Sequence, residues 1–349
     1  MMQRRDFLKT TAAGLLYFQG TAVRRREVSV GKKRVKVIDA HGHFVAPEEL
    51  EVVKDTPLAR NVTNTQDGTL VLGPQRLRVL DEQGIDIQVL THQGGWWYGT
   101  DRDVARKLIN VQNQKLAEWC KAHSDRFVGL ASVALQHPEM AAEQLDEAVK
   151  RLGLKGVGIA GHANGEVPST PKYDPFWAKV QELNVLVFVH PGGADNIIKD
   201  GAFRGRGDLG NIIGNPLETT FFLSRMIFDG ALDRFPGVKL CGAHAGGYLP
   251  SYVGRTDVAC DVRDNANCAN KKHPREYFKD QILVDSMIFS EEGLRHLVAE
   301  FGANQIVYGT DTPYNWPVGV DLILKATFLK DSEKEAILGG NLMRLLRIS

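Results

Sequence analysis

The sequence has no long hydrophobic run, few cysteines and almost no net charge. No apolar segment approaches the roughly 20 residues that a membrane-spanning helix needs, and the net charge is +1. Four cysteines in 349 residues form neither a zinc-cluster pattern nor a dense disulfide framework. The balanced charge gives no electrostatic reason to expect nucleic acid or a membrane surface as partner. The remaining composition, 43% hydrophobic and 24% charged, is that of a globular protein.

The N-terminal residues differ from the rest of the chain. The stretch RRDFLK at residues 4–9 precedes a weakly apolar segment and resembles a twin-arginine export signal. We therefore expect residues 1–30 to be signal and leader, and residues 31–349 to form one domain without a linker. Such signals carry folded proteins to the periplasm, and a leader that does not function would leave the protein in the cytoplasm. Cys260 and Cys268 could pair after export, although free thiols are an equal alternative.

Short apolar runs recur along the domain, and each is followed by a polar residue and then by a helical stretch. The runs are rich in Val, Ile and Leu and are bounded by Gly or Pro, as in buried parallel strands. The repetition predicts a (β/α)8 TIM-like barrel of the α/β class. A doubly wound open sheet would need a glycine-rich phosphate loop after the first strand, where this chain has His-Gly-His. The predicted strands are residues 35–43, 85–93, 127–135, 156–164, 186–193, 238–247, 282–286 and 306–314.

Helical patterns fill the segments between these runs. The clearest are residues 101–124 and 138–153; the second opens with Pro138 and closes on Gly153, as helices commonly do. Further helices are predicted over residues 216–235, 290–302 and 332–345.

Histidine and aspartate residues gather where the predicted strands end, which is the edge of a barrel that carries catalytic groups. The first strand ends in DAHGH, where Asp39, His41 and His43 would share one face of a regular strand. A bare His-x-His fits a hydrogen-bonded surface turn equally well. The other strand ends decide in favour of a metal site, because seven of the eight carry His or Asp. The further residues are His92, His162, His190, His244, Asp285 and Asp311.

Three imidazoles and one carboxylate from these strand ends suit a divalent metal of the zinc type with one open coordination position. His244 would then lie beside the metal without binding it, placed to take a proton from the metal-bound water. Asp39 and Asp285 are expected behind the ligands. Each residue alone could equally be a hydrogen-bonded core histidine or a capping aspartate. The predicted metal ligands are His41, His43, His190 and Asp311.

The strand-end motifs together resemble the amidohydrolase superfamily. The His-x-His motif, FVHPGG, CGAHAGGYLP and YGTDTPY carry the likeness, which covers nearly all of residues 35–345. It is strongest with the amidohydrolase-related branch around aminocarboxymuconate-semialdehyde decarboxylase. The resemblance implies a TIM-like barrel, one zinc ion and an activated water, with the ligands and the base on the residues predicted above. Two-metal members usually have a modified lysine ending the fourth strand, which here ends IAGHAN; Mn²⁺ or Fe²⁺ would also suit the ligands.

The resemblance also implies a substrate-binding arginine and shows one departure. Family members often form homodimers in which an arginine reaches the neighbouring site, and Arg255 matches that position. Its guanidinium fork could bind a substrate carboxylate at two points. A second arginine of the decarboxylase is missing, since Val71 and Leu72 occupy its place, and Arg76 and Arg78 belong to the next helix. An open-chain dicarboxylate is therefore in question as substrate.

The predicted activity is a non-oxidative decarboxylation of a small carboxylated aromatic or muconate-like compound. A hydrolase that cleaves a lactone, an amide or a carbon–carbon bond would use the same metal site. A non-catalytic periplasmic binding protein is the third hypothesis, which the presence of a base at His244 disfavours. Trp96, in HQGGWWYGT, and His162 are predicted to contact the substrate, although the tryptophan loop could equally be packed hydrophobic surface.

The leader interpretation predicts that the paired arginines are needed for export. Exchanging both Arg4 and Arg5 for lysine should retain the protein in the cytoplasm, because the export machinery reads this pair. Cell fractionation followed by immunoblotting measures the effect, with Arg24→Lys as a control outside the motif. A variant exported like the wild type, or a wild type found only in the cytoplasm, would refute the interpretation.

Overall fold

The structure is a computed structural model that describes residues 25–65, 69–94, 96–199, 201–317 and 319–348. The twin-arginine motif predicted at residues 4–9 lies outside the described residues. The described chain starts with a short antiparallel pair, Ser29–Val30 with Lys33–Arg34, ahead of the first barrel strand.

Eight parallel strands follow in sequence order, and within each of two sheets every strand pairs with its neighbour along the chain. One sheet contains β1 to β3 and the other β4 to β8. The strands coincide with the predicted apolar runs but are mostly shorter. Their bounds are β1 Ile38–Phe44, β2 Ile87–His92, β3 Phe127–Gly129, β4 Gly156–Ile159, β5 Leu186–Val189, β6 Lys239–Gly242, β7 Ile282–Asp285 and β8 Ile306–Val307.

Two parallel bridges join the sheets into a ring. Ala131 bridges to Val157 between β3 and β4, and Gly42 bridges to Thr312 between β1 and the segment after β8. The His43 N–H donates to the Thr312 carbonyl at 2.8 Å, which supports the second junction. The eight strands therefore surround one axis, and the predicted TIM-like barrel is confirmed.

Helices cover the outside of the barrel, as the sequence predicts. Asp101 caps α4 by accepting the N–H groups of Asp103 and Val104, and Pro138 begins α5. No helix within the described ranges has the length and apolar character needed to cross a membrane. The helices are α1 Leu50–Val53, α2 Ala59–Thr65, α3 Pro74–Gln83, α4 Arg102–Ala122, α5 Pro138–Lys150, α6 Asp174–Leu183, α7 Asn215–Phe228, α8 Ala231–Arg234, α9 Leu249–Val262, α10 Pro274–Asp280, α11 Glu291–Phe301, α12 Val320–Lys325, α13 Asp331–Glu335 and α14 Asn341–Leu346.

Two predicted helices are interrupted. The helix predicted over 216–235 is divided at Gly230, whose φ of 69° is left-handed. The helix predicted over 332–345 contains a π-helical segment, Ala336–Gly340, between α13 and α14. A side chain at Gly339 would lie 2.2 Å from the Lys36 carbonyl oxygen, so the glycine allows this helix to approach the start of β1.

The two largest hydrophobic clusters of the core follow the alternation of the strands. Side chains such as Ile38, Val89 and Phe188 fill the barrel interior, and Leu342 and Leu346 of α14 belong to the same cluster. Their neighbours, such as Val157 and Leu240, pack outward against the helices. The interior is therefore solid apolar packing, and the polar residues at the strand ends lie above it at the mouth.

Candidate metal centre

The four predicted ligands converge at the carboxyl ends of three strands. His41 and His43 lie in β1, His190 follows β5 and Asp311 follows β8; one ligand atom from each lies within 4.8 Å of the others. The Nε2 atoms of His41 and His43 are 3.0 Å apart, and His43 Nε2 is 2.9 Å from Asp311 Oδ1. All four side chains are buried. Nitrogen and oxygen atoms that face one another at such separations fit a single ion of the size of Zn²⁺.

Burial and the neighbouring charges set the protonation of this cluster. Burial works to lower the pKa of His41, but the Asp311 and Asp285 carboxylates outweigh it and raise that pKa to about 10. Burial lowers the pKa of His43 to about 4, and burial with the adjacent imidazoles lowers the pKa of His190 well below its usual value. Burial also works to raise the pKa of Asp311, but His41 and hydrogen bonds from histidines lower it overall. Two neutral imidazoles and a carboxylate thus present lone pairs to a cation.

Asp285, at the end of β7, organises two parts of the centre. Its Oδ2 accepts the His41 Nδ1–H at 2.7 Å, so that once a metal displaces the Nε2 proton this nitrogen is the one turned toward the cluster. The same carboxylate accepts the backbone N–H groups of His244, Ala245 and Met287 at 2.8–3.1 Å. The structure therefore places Asp285 behind His41 and under the turn that carries His244.

Asp39 occupies a different position from the one expected for a regular strand. The register of β1 shifts between Asp39 and Gly42, so the three polar residues of DAHGH do not share one face. The Asp39 carboxylate accepts from the His41 backbone N–H, from Gln88 Nε2 and from Thr310. The expectation that Asp39 shares one strand face with both histidines is therefore wrong, and its carboxylate lies behind His41, next to Gln88 and Thr310. It supports His41 through the backbone.

Arg76 completes the support for β1. Its guanidinium is 3% exposed and donates to Gln88 Oε1 and to the carbonyl of His43. Burial lowers the pKa of Arg76 to about 10, and the nearby Asp39 carboxylate partly offsets this. Arg76 lies in α3, as predicted, and its hydrogen bonds commit it to the scaffold, so the mouth gains no arginine from this helix.

His244 lies beside the ligand cluster. Its Nε2 is 3.7 Å from Asp311 Oδ2, and its ring centroid is 5.2 Å from those of His41 and His190. Its side chain is 16% exposed. Its backbone φ is 53°, a left-handed conformation that non-glycine residues seldom adopt. Such strain occurs at functional sites where surrounding contacts hold it. The geometry suits a proton-transferring group next to a metal.

The predicted substrate residues lie around the mouth. Trp96 is 7% exposed, stacks on Tyr98 and contacts the position of Gly192 after β5. Its Nε1 has no hydrogen-bond partner within the described ranges. His162 follows β4 and accepts from the Gly165 N–H. Arg255 is exposed on α9 and forms no hydrogen bond or ion pair with the residues that the structure describes.

Three supporting contacts were not predicted from the sequence. Thr91 Oγ1 lies 3.3 Å from His43 Nδ1 and can fix the orientation of that ring. Glu49 binds His92 and Trp97 through its buried carboxylate, so His92 supports the tryptophan loop and is not in the metal cluster. Glu218 of α7 accepts backbone N–H groups from the loops after β4 and β5. These residues have no local sequence signal, since their partners are remote in the chain.

Comparisons with known proteins agree with this geometry. A family model described as amidohydrolase matches residues 38–348. The chain is 32% identical over 282 residues to a 2-amino-3-carboxymuconate-6-semialdehyde decarboxylase of Dictyostelium discoideum, covering 78% of this chain and 75% of that one. It is 27% identical over 318 residues to a gamma-resorcylate decarboxylase of Rhizobium sp. (strain MTP-10005), covering 88% and 96%.

A solved structure similar to this one carries a metal. It is a dihydroxybenzoic acid decarboxylase from Polaromonas sp. JS666 with bound manganese and the inhibitor 2-nitroresorcinol. The TM-score is 0.75 at 25% identity, and the match covers 90% of this chain and 97% of that one. Together with the cluster of three histidines and one aspartate, this supports a divalent metal site.

The ligand assignment predicts about one divalent ion per chain. His41→Ala and Asp311→Ala should each lose most of it, since each removes one of four ligands from one open site. Elemental analysis of the purified proteins measures the content, and His296→Ala, a histidine in α11 away from the cluster, is the control. Unchanged metal in both ligand variants would remove the assignment.

Proposed function

The chain belongs to the amidohydrolase family, and we propose that this protein is a metal-dependent, non-oxidative decarboxylase of a small carboxylated aromatic or muconate-like compound. The observation that carries the proposal is the buried cluster of three histidines and one aspartate with His244 beside it. Relatives that span most of this chain are named decarboxylases, which favours loss of CO2 over hydrolysis at such a site. Zn²⁺ is the proposed ion, and Mn²⁺ and Fe²⁺ are alternatives with the same ligands.

The reaction needs charge stabilisation and one proton. The bond between the substrate carbon and its carboxylate breaks, CO2 leaves, and a proton takes its place on the carbon. A bound divalent ion supplies positive charge that polarises the substrate oxygens. His244 Nε2 moves the proton: as a base it accepts one from water at the mouth, and as imidazolium it can return one to carbon. Asp285 holds the turn of His244 so that this nitrogen faces the ligand cluster.

The residues around the mouth favour an aromatic substrate over an open-chain dicarboxylate. Trp96 packs on Tyr98 and lies against Gly192 after β5, and a planar substrate ring would pack well beside its indole. Arg76 is buried and bonded to the scaffold, so it is not offered to a second carboxylate. Arg255 is the proposed carboxylate-binding arginine, and His162 lies at the same rim.

In a homodimer, Arg255 could bind the substrate of the neighbouring subunit. Large apolar side chains are exposed on the segment before α7 and on α7 and α9, which is unusual for a monomer surface. Arg255 lies on α9 among them and has no ion pair within the described chain. We propose that this surface meets a second copy and that Arg255 reaches the neighbouring site; a monomer in analytical ultracentrifugation would contradict this. The exposed residues are Ile212, Ile213, Phe221, Tyr252, Val258 and Val262.

Export to the periplasm is the proposed localisation. The support is the RRDFLK leader together with a disulfide bond between Cys260 and Cys268. Disulfides persist mainly in oxidising compartments, which include the bacterial periplasm.

The proposed activity predicts release of CO2 from an aromatic acid. The holoenzyme should release CO2 from one or more members of a panel of hydroxylated benzoates, with the ring protonated at the vacated carbon. Coupled CO2 detection and mass spectrometry of the product measure this, and muconate-like acids, lactones and amides form the comparison panels. Turnover of a lactone or amide without CO2 release would replace the decarboxylase by the hydrolase.

The role of His244 predicts a loss of turnover without a loss of metal. His244→Ala should retain the ion and bind substrate while kcat falls by about 10²–10⁴-fold, the usual contribution of general acid–base catalysis. His244→Asn, which keeps a hydrogen bond but cannot carry the proton, should be nearly as impaired. Steady-state kinetics with parallel elemental analysis measures both. Loss of the ion would make His244 a ligand, and full activity would make it structural.

A further inference from the structure

One buried carboxylate outside the ligand cluster holds two loops of the barrel mouth. Glu218 lies on α7 and is 1% exposed. Its Oε1 accepts the N–H of Gly161 at 2.9 Å and of Gly192 at 3.1 Å, and its Oε2 accepts the N–H of Gly193 at 2.6 Å. Gly161 follows β4, whereas Gly192 and Gly193 follow β5. Glu218 therefore joins two adjacent strand ends through three charge-assisted hydrogen bonds.

His190 is the ligand that depends on these loops. The ring of His41 is oriented by Asp285, and the ring of His43 lies next to Thr91 Oγ1. No side chain in the described ranges forms a hydrogen bond to the ring of His190. A metal-binding histidine usually has such a partner on its second nitrogen. Apart from packing against the imidazoles of His41, His43 and His244, the ring is therefore positioned through its backbone.

The backbone around His190 is fixed on both sides. The His190 N–H donates to the Ile159 carbonyl at 3.0 Å, which fixes the residue at the end of β5. Two and three residues later, Glu218 accepts from the consecutive N–H groups of Gly192 and Gly193. Gly193 has φ of 124°, a conformation that a glycine adopts without strain. The turn that carries His190 is thus held at one end by β4 and at the other by Glu218.

The same carboxylate reaches the substrate side of the mouth. The Trp96 indole lies next to Gly192, since a Cβ at that glycine would be 3.7 Å from the Trp96 ring. The His162 ring lies 3.4 Å from the Gly193 carbonyl oxygen. A Cβ at Gly161 would lie 2.7 Å from Glu218 Oε1, so the close approach of this loop requires a glycine.

We propose that Glu218 is a positioning residue of the metal centre, which sets His190 for metal binding by fixing the backbone that follows it. The inference rests on the metal site of the proposed function. Asp285 and Thr91 orient the rings of His41 and His43 by direct contact. Glu218 would orient His190 indirectly, by fixing the main chain that follows it.

The test measures metal affinity separately from stability. Glu218→Gln keeps the side-chain volume but presents an amide NH2 to backbone donors, so at least one hydrogen bond is lost. Holoprotein is equilibrated with graded chelator, and the Zn²⁺ dissociation constant is obtained for wild type and variant, with the thermal midpoint recorded in excess Zn²⁺. We expect about a 10–100-fold rise in the dissociation constant, the usual effect of losing support behind a ligand. Glu182→Gln, an exposed glutamate at the end of α6, should bind Zn²⁺ like the wild type.

The outcomes separate this inference from its alternatives. A lower thermal midpoint with an unchanged dissociation constant would mean that Glu218 serves stability alone, and would overturn the proposal. Wild-type protein that binds no Zn²⁺ or Mn²⁺ would overturn the metal site and this inference together. Metal binding that weakens in Glu218→Gln, in a protein that releases no CO2 from any acid, would support the inference and count against the decarboxylase.

A second variant covers the case in which Glu218→Gln does not fold. Gly161→Ala keeps the carboxylate but adds a methyl group 2.7 Å from its Oε1, so the loop or the Glu218 side chain must shift. Weaker Zn²⁺ binding is again expected. Gly99→Ala is the control, because a Cβ there meets nothing within 4 Å. A folded Gly161→Ala protein with wild-type affinity would overturn the proposal.

Discussion

The Asp285 carboxylate fixes both the ring of His41, a candidate metal ligand, and the turn that carries His244. It accepts hydrogen bonds from His41 Nδ1 and from three backbone N–H groups, two of them in the turn at His244 and Ala245. Both turn residues have left-handed φ values, at a cost of about 1–2 kcal/mol each. Hydrogen bonds to a charged acceptor contribute about 1.5–3 kcal/mol each. The contacts to Asp285 are therefore of the size needed to hold the turn against its strain.

The closed barrel makes this arrangement possible and also limits it. Side chains from β1 and β7 meet above the core. The segment that follows β8 runs close beside them and has room only for a glycine, Gly309. A Cβ at Gly309 would lie 2.9 Å from the Cβ of Asp285 and 3.2 Å from that of His41. The chain reaches Asp311 immediately afterwards in a left-handed conformation that brings its carboxylate back to the axis. The packing at the strand ends and the positions of the candidate ligands therefore depend on each other.

Charged groups buried in the wall hold the mouth from outside. Arg76 ties α3 to β1 and compensates Asp39, whereas Glu49 ties the tryptophan loop to His92. A buried charge is costly unless it is paired and hydrogen-bonded, so each must be fully engaged with its partners. This engagement leaves Arg76 unavailable as a substrate contact.

The sequence by itself determined the barrel, the four candidate ligands and the neighbouring histidine. The apolar runs predict buried strands. Polar residues at the ends of parallel strands meet because these ends lie at one edge of a barrel. The tertiary structure alone decided the register shift that turns Asp39 away, the disulfide between Cys260 and Cys268, and the roles of Thr91, Glu49 and Glu218. Glu218 reads in the sequence as one more helical glutamate, because its hydrogen-bond partners lie 25 to 57 residues away along the chain. A local sequence pattern shows whether a segment is a helix or a strand and where it ends. Which carboxylate accepts which backbone N–H depends on how these elements pack in the folded chain.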